Sequence, residues 1–467
     1  MRLIAALMAA ALLPVVGLAE DPPWLGEVGL FNFNYGLKAG ERRRNALLGA
    51  TPPGERMAGT VVRQSVFWSC VQPRPDDWAI DRCKQVKMVD RLSAAGWRVQ
   101  LVLRTKHGGF GPEPFWGTDA ENRRRRSEVS YPPSDLTEAP VAGQGHSASY
   151  HRFVTGILDR YCPADECAIH SLVIENEANA EANWIGRRGE PMADVADYVR
   201  LVATARDAVD ERGVDLKLYD SGLQGWAILM NAVGRALATD GAEAARRTYE
   251  RGFRDRTSAR KLSGRIPKRM KSPTIAKVRL MLESNLYELT DGLNFHHYQS
   301  PESITDVTEF LRAQLGPDIR LVSNEVGIKD TVIGDASTGL VSAWMIRKMV
   351  YLLDAGVSPV VWFSVRSTDN VASFADDDGV LVPEVANAYN AFAMRVGDGV
   401  SAVRIDRLDA ADPLVARAEL TGEGGRFTVA WFAGDATGDW ARVPAAGGCE
   451  GAAPAWQSRY MRILDCE

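Results

Sequence analysis

From about residue 27 to residue 395 one pattern recurs eight times: a short, β-rich apolar run followed by a longer polar or helix-periodic stretch. The runs are Val28–Phe33, Thr60–Trp68, Arg98–Leu103, Ala168–Ile174, Asp215–Tyr219, Gly292–His296, Ile319–Ser323 and Pro359–Phe363. Helical periodicity marks Asp81–Ala95, Ala148–Tyr161, Asp194–Arg212, Ile304–Leu315, Leu340–Ala355 and Pro383–Val396. Alternation of this kind builds a parallel α/β sheet, either doubly wound or closed. Eight runs favour the closed form, a (β/α)8 TIM barrel. Beyond Val400 the pattern changes to short alternating strands with Gly-rich turns, at Ser401–Arg407, Leu414–Leu420, Arg426–Phe432 and Ser458–Leu464. A small C-terminal antiparallel β-domain, sandwich-like, is expected there. The predicted division is a leader at 1–19, a catalytic barrel at 20–397 and the β-domain at 398–467.

The leader reads as a signal peptide: Arg2, the apolar run Leu3–Leu13, then Gly17-Leu18-Ala19 as a small-x-small cleavage site. An uncleaved anchor is the competing reading, but the run is short of the roughly 20 residues a membrane span needs. No later stretch is long enough either, so no membrane span is expected after cleavage. The six cysteines fall into sequence-local pairs, 70/83, 162/167 and 449/466. An even number in an exported chain suggests disulfides, although six cysteines allow about fifteen connectivities. Together these features predict a periplasmic or secreted protein.

Barrel enzymes carry their chemistry at the C-terminal ends of the strands. The fourth run ends Leu172-Val173-Ile174-Glu175-Asn176-Glu177-Ala178-Asn179, and the seventh ends Leu321-Val322-Ser323-Asn324-Glu325-Val326-Gly327. Each delivers a carboxylate to the rim, from strands that face each other across the mouth. Cleaving a glycosidic bond needs two such groups, one to protonate the leaving oxygen and one to attack the anomeric carbon or activate water. A lone glutamate at a strand end is more often a rim ion pair; two in these places are a stronger signal.

In these residues the chain resembles the clan A glycoside hydrolases, most closely family 39 and its bacterial exopolysaccharide-processing relatives. Asn176-Glu177 matches the clan's strand-four Asn-Glu, and Glu325-Val326-Gly327 its strand-seven Glu-x-Gly. Arg63 stands in the place of the strand-two arginine, His296-His297-Tyr298 matches the strand-six His-x-Tyr, and Trp362 the strand-eight tryptophan. The resemblance implies a retaining double displacement, with Glu177 as acid/base and Glu325 as nucleophile. It further implies that Asn176 bonds the sugar 2-hydroxyl, that Tyr298 bonds the nucleophile and that Trp362 forms a sugar platform. An apolar wall is expected beside Glu177, while Arg63 and Tyr298 are expected to keep Glu325 ionised. Two departures stand out: Ala178 where relatives often have Pro, and Glu175 where an apolar, Gly or Trp residue is usual.

Long segments follow the third and fifth runs, where barrels shape their clefts. Trp116, Trp184 and Trp226 lie at or just beyond strand ends, so each is read as either packing or a sugar-stacking face. The stretch Arg246–Arg279 holds thirteen basic residues against Glu250 and Asp255. Such a run is ordinarily a solvated face; the functional alternative is a platform for an anionic polysaccharide. The whole chain is slightly acidic, at a net charge of −5, and no nucleic-acid partner is expected. No cofactor or metal is expected either. His107, His146, His151 and His170 show no ligand spacing, Asp376–Gly379 lacks the ligands of a calcium loop, and there is no Gly-x-Ser-x-Gly elbow. The predicted partner is a polysaccharide or oligosaccharide, possessed of β-type linkages and acted on as an anionic exopolysaccharide in the sharpest form of the reading. The rival is a non-catalytic glycan-binding or polysaccharide-assembly protein on the same barrel. Oligomeric state has no signature in the sequence.

Overall fold

A computed structural model describes residues 27–31, 60–74, 76–105, 129–163, 167–185, 190–254, 259–329, 337–363, 374, 382–397, 399–408, 415–422, 425–432, 436–438, 440, 443, 449 and 451–466. The leader, His107, Trp116, the run of four arginines Arg123–Arg126 in the segment after the third apolar run, and Asp376–Gly379 lie outside them.

The chain is an α/β barrel with a C-terminal antiparallel sheet. Barrel strands are β1 (Val28–Phe31), β2 (Val61–Phe67), β3 (Arg98–Arg104), β4 (Ile169–Ile174), β5 (Lys217–Tyr219), β6 (Leu223–Gln224), β7 (Leu293–His297), β8 (Leu321–Val326) and β9 (Val357–Trp362). Among the described residues their order is β5-β4-β3-β2-β1-β9-β8-β7-β6. The two ends of that list are consecutive in the chain, three residues apart, so β5 and β6 are two halves of one barrel position and the sheet closes. The lower half pairs with β4, Leu172 against Leu218, and the upper half with β7, Gln224 against His296. All barrel pairings are parallel. Strands buried on both faces need no polar side, which is why apolar residues dominate β4 and β9.

Where the fifth position is interrupted, carboxylates replace missing backbone partners. Asp220 Oδ1 accepts from the Asn294 backbone N–H at 2.5 Å, and Asp291 Oδ2 accepts from Leu218 N–H at 2.7 Å. Buried N–H groups must find an acceptor somewhere, and here side chains provide it. Inside the barrel Val102, Val173, Tyr219 and Val322 form one apolar layer.

β8 holds an irregularity that positions the site. Against β7, Asn294 pairs with Val322 but His296 pairs with Glu325; against β9, Ser323 pairs with Val360 and Val326 with Trp362. Between these pairs β8 carries one residue more than either neighbour, a bulge over Ser323–Glu325; lower down, between Leu321–Val357 and Ser323–Val360, the extra residue is on β9. A strand's side chains alternate in and out, so one extra residue reverses the facing of everything beyond it.

The outer layer contains α1 (Lys84–Ala94), α2 (Ala148–Tyr161), α3 (Pro191–Arg212), α4 (Gly225–Thr239), α5 (Ala242–Phe253), α6 (Ala259–Arg269), α7 (Pro273–Glu283), α8 (Ser303–Leu315), α9 (Thr338–Asp354) and α10 (Pro383–Val396). The basic stretch thus falls largely on α5–α7, with Arg254 and Met270–Ser272 in the connections between them. Several of its cations have structural partners: Arg246 bridges Glu243 and Glu250, Arg251 pairs with Asp306, and buried Lys277 meets Asp194 at 2.6 Å. The remaining strands, β10 (Val400–Leu408), β11 (Val415–Gly422), β12 (Gly425–Phe432), β13 (Pro454–Gln457) and β14 (Met461–Cys466), form an antiparallel sheet in the order β10-β11-β12-β14-β13. It packs on α9 and α10 through Tyr351 against Trp431 and Phe392 against Phe427. A two-pronged Arg395–Asp465 ion pair adds to that contact. All six cysteines pair locally, Cys70–Cys83, Cys162–Cys167 and Cys449–Cys466.

Candidate active site

The ends of β2, β4, β6, β7 and β8 bring one set of polar side chains together. Glu325, aimed inward beyond the bulge, accepts from Arg63 Nη1 at 2.5 Å on Oε2 and from the Tyr298 hydroxyl at 2.7 Å on Oε1. Arg63 is 1% exposed and also donates to Asn176 Oδ1 and to the Asn324 backbone carbonyl. Burial works against the charged form of Glu325 and is the largest influence on it. The opposing charges of His296 and Arg63, with the Tyr298 and Arg63 hydrogen bonds, outweigh it and hold the carboxyl below its ordinary range. Burial and the adjacent Glu325 push the Tyr298 hydroxyl well above the usual phenol range, so it stays a donor.

Both Glu177 oxygens have polar partners. Oε2 lies 2.9 Å from Asn183 Nδ2 and 2.7 Å from Gln224 Nε2, and Oε1 lies 2.8 Å from His296 Nδ1. That nitrogen is 3.7 Å from Glu325 Oε2, so one imidazole spans both carboxylates. Its other nitrogen meets Asn324 Oδ1 at 3.0 Å. Suitable atoms of Glu177, His296 and Glu325 all lie within 4.8 Å of one another. Three such ligands could hold a divalent ion, but the Arg63 guanidinium against Glu325 places a fixed positive charge beside that position, which disfavours a second cation.

Local backbone geometry explains how the fourth strand presents its glutamate. Glu175 and Glu177 have φ values of +69° and +47°. Non-glycine residues rarely adopt this left-handed region, and strain of this sort is kept only where the surroundings impose it. They do: Glu177 N–H donates to Ser221 O at 2.8 Å and Ala178 N–H to Ser221 Oγ at 2.9 Å. Tyr198 ties both segments, donating to Ile174 O and accepting from Ser221 N–H. Glu175, the unusual residue of the motif, is fully buried. It accepts from Thr105 N–H at 2.5 Å and sits 3.7 Å from Arg104, and burial raises its pKa in spite of both. It braces the ends of β3 and β4 and is not a third rim carboxylate.

His296 fits because two glycines leave room for it. A Cβ on Gly222, whose φ is +81°, would lie 2.2 Å from His296 Nε2, and one on Gly225 would lie 2.3 Å from His296 O. Behind the ring, burial pushes Asp220 up to about 7, with the Asn294 and Gly222 N–H groups and the charge of His296 opposing that rise. Lys348, buried on α9, donates to Gly327 O at 2.5 Å and His297 O at 3.1 Å, clamping the ends of β7 and β8.

Arg63, Asn176, Glu177, His296, Tyr298 and Glu325 therefore converge. Two expectations change. Trp184 is 0% exposed, lies edge-on to Tyr198 and donates its N–H to Asp194 O. Trp362 is also 0% exposed, within the main apolar core. Neither indole presents an open face for sugar stacking in this structure, because each is enclosed by packing. Sequence reading missed Asn183, Gln224, Asp220, Ser221 and Lys348: amides, a hydroxyl and a lysine outside any motif have no signature until the chain folds.

No family model matches the sequence, and no curated protein matches it. Among solved structures, the fold is similar to a family 39 glycoside hydrolase from the gut symbiont Bacteroides cellulosilyticus WH2, at 14% identity over 94% of this chain and 80% of that one, with a TM-score of 0.53. A GH30 endoxylanase from Clostridium papyrosolvens C71 aligns at 12% identity over 88% of this chain and 82% of that one, with a TM-score of 0.47. At such identities the first likeness is one of fold, and the second is too distant to add to it.

Proposed function

We propose that this chain is a retaining glycoside hydrolase that cleaves β-type linkages in a polysaccharide or oligosaccharide. The observation that carries the reading is the pair of carboxylates spanned by one imidazole, with oxygens of Glu177 and Glu325 within 4.8 Å. Retaining enzymes hold their carboxyl groups about 5–5.5 Å apart, and inverting ones roughly 6.5–9.5 Å apart to admit a water. Glu325, ionised and held by Arg63 and Tyr298, attacks the anomeric carbon as the glycosidic C–O bond breaks. Glu177 gives its proton to the departing oxygen. Water then takes the sugar from Glu325, with Glu177 receiving the proton. Asn176, fixed by Arg63, is placed to bond the sugar beside the reacting carbon. The family 39 enzyme with the same fold supports a carbohydrate substrate.

In this reading residues 1–19 are an export leader, 20–397 the catalytic barrel and 398–467 an accessory β-domain, and the mature protein is periplasmic or secreted. Pairing of all six cysteines fits an oxidising compartment. Among the described residues, no helix is long and apolar enough to cross a membrane. An anionic exopolysaccharide is the sharpest form of the substrate proposal, supported by exposed Arg265, Lys268 and Lys271 on the basic helices and their connection.

The test is release of oligosaccharides from a panel of anionic and neutral bacterial polysaccharides by wild type, Glu177→Gln and Glu325→Gln. Cleavage by wild type with loss of about 10²-fold or more in each variant is expected. Full activity in both variants would sink the mechanism, and binding without cleavage across the panel would leave a glycan-binding protein. Rates on anionic members should fall with added salt; equal, salt-independent rates on both classes would remove the anionic substrate.

A further inference from the structure

Gln224 stands at the rim beside Glu177, and its orientation is set by a neighbour that can only donate. The Trp226 indole N–H lies 3.0 Å from Gln224 Oε1. An indole nitrogen offers a proton and no acceptor, so the atom it meets on Gln224 must be the carbonyl oxygen. The amide nitrogen is thereby turned to Glu177, 2.7 Å from Oε2. Asn179 Oδ1 accepts from the Gln224 backbone N–H at 3.2 Å, and the β6–β7 ladder pairs Gln224 with His296. Asn183 Nδ2 brings a second amide to the same carboxylate oxygen at 2.9 Å. The other oxygen, Oε1, meets His296 Nδ1 at 2.8 Å, and that nitrogen is the one 3.7 Å from Glu325. Oε1 is thus the oxygen turned toward the nucleophile and the gap in which a scissile bond would lie.

We propose that Gln224, oriented by Trp226, is a positioning residue that holds Glu177 Oε2 as a hydrogen-bond acceptor and leaves Oε1 to carry the proton for transfer. The inference rests on the hydrolase reading above. An oxygen already taking two N–H donors is a poor place for a proton, since an O–H there would lose the acceptor strength both amides use. Oε1 instead shares one proton with His296: where the imidazole is charged its Nδ1–H donates to Oε1, and where Oε1 holds the proton Nδ1 is the acceptor. In the first step the proton leaves Oε1 for the glycosidic oxygen as the bond from that oxygen to the anomeric carbon breaks. The carboxylate that remains is still fixed by its amides. In the second step Oε1 takes a proton from the attacking water, so both transfers use one oxygen in one orientation. Trp226 therefore acts through its N–H, whichever way its ring face is used.

The test follows the Trp226 indole N–H by NMR among the twelve tryptophans of the chain, with its resonance assigned by its loss in Trp226→Phe. In wild type the resonance should move with pH, because Gln224 links the Trp226 indole to the Glu177 carboxyl. Glu177→Gln and Gln224→Met should each abolish that movement. His296, Glu325 and Asp220, the other ionisable groups near this hydrogen-bond chain, remain in both variants. A movement that survives either substitution therefore belongs to them and overturns the proposal. A second arm compares phenyl and dinitrophenyl β-glycosides. Gln224→Met should lose about tenfold or more on the phenyl glycoside, which needs a proton on its leaving group, and little on the dinitrophenyl one. Equal losses on both would mark a merely structural residue and also overturn it. If no glycoside is cleaved, the hydrolase reading fails, and the spectra alone decide whether Gln224 couples Trp226 to Glu177.

Discussion

Single side chains here work through what they hold. Tyr298 contributes one hydroxyl, but that hydroxyl is among the influences that keep Glu325 below its ordinary pKa in a buried place. Tyr298→Phe should therefore raise the Glu325 pKa, move the acid limb of the pH–rate profile to higher pH and lower kcat roughly 10- to 100-fold. An unmoved acid limb would show that Arg63 and His296 suffice. Asp220 makes the opposite case. Its folded pKa, about 7, lies above the ordinary 3.8, so the folded state binds the extra proton across that interval. Stability from this group is therefore present at low pH and lost as pH rises toward and through 7. Asp220→Asn removes the dependence while keeping an acceptor for Asn294 N–H, so its Tm should gain on wild type steadily from about pH 4 to pH 8. Parallel Tm curves over that range would refute the assignment. Asp220, unlike Glu325, belongs to no motif. Its neighbours in space, Asn294 and His296, lie more than seventy residues away in the chain, and no local pattern announces them.

At the scale of elements, the strands of the barrel were legible because parallel strands covered on both faces are mainly apolar and β-branched. The predicted runs fall on every barrel position, displaced by a few residues at their ends. Two features escaped. The fifth position is split, and its second half, Leu223–Gln224, is too short to have a period. The bulge in β8 is also invisible: Leu321-Val322-Ser323-Asn324-Glu325-Val326 alternates no differently for holding an extra residue, yet that residue sets which side Glu325 faces. The turn joining the split halves is the sharper test. Gly222→Ala would place a methyl on the His296 ring at a left-handed φ. His296 should be displaced from Glu177 and Asn324, with a stability loss of roughly 1–3 kcal/mol and an activity loss beyond that of Tyr298→Phe. Thermal melts and a structure of the variant check this, and wild-type behaviour would refute the cradle. The basic run shows the limit of charge counting. Its composition announced a surface, but Lys277 is buried on Asp194 and Arg251 closes on Asp306, both from other elements.

For the molecule as a whole, the C-terminal sheet is part of the barrel's support. Val400, Ala418, Phe427, Trp431, Tyr460 and Met461 belong to the same apolar core as the barrel helices. Truncation after residue 397 would uncover α9 and α10, including the helix whose Lys348 clamps β7 and β8. Such a chain should aggregate or melt well below the full protein, by more than ten degrees. A truncated barrel with the full protein's Tm would show that the sheet is dispensable.

The sequence by itself determined the order of the barrel strands and the two glutamates at their ends, since periodicity and strand termini are properties of neighbouring residues; the cysteine pairing and the helices Gly225–Glu283 came only with the fold. The tertiary structure alone decided which way Glu325 faces, that His296 spans both carboxylates, that Trp184 and Trp362 are enclosed and that Gln224 holds Glu177. Each of these depends on register between distant strands, where one inserted residue or one glycine's missing Cβ changes what meets across the barrel.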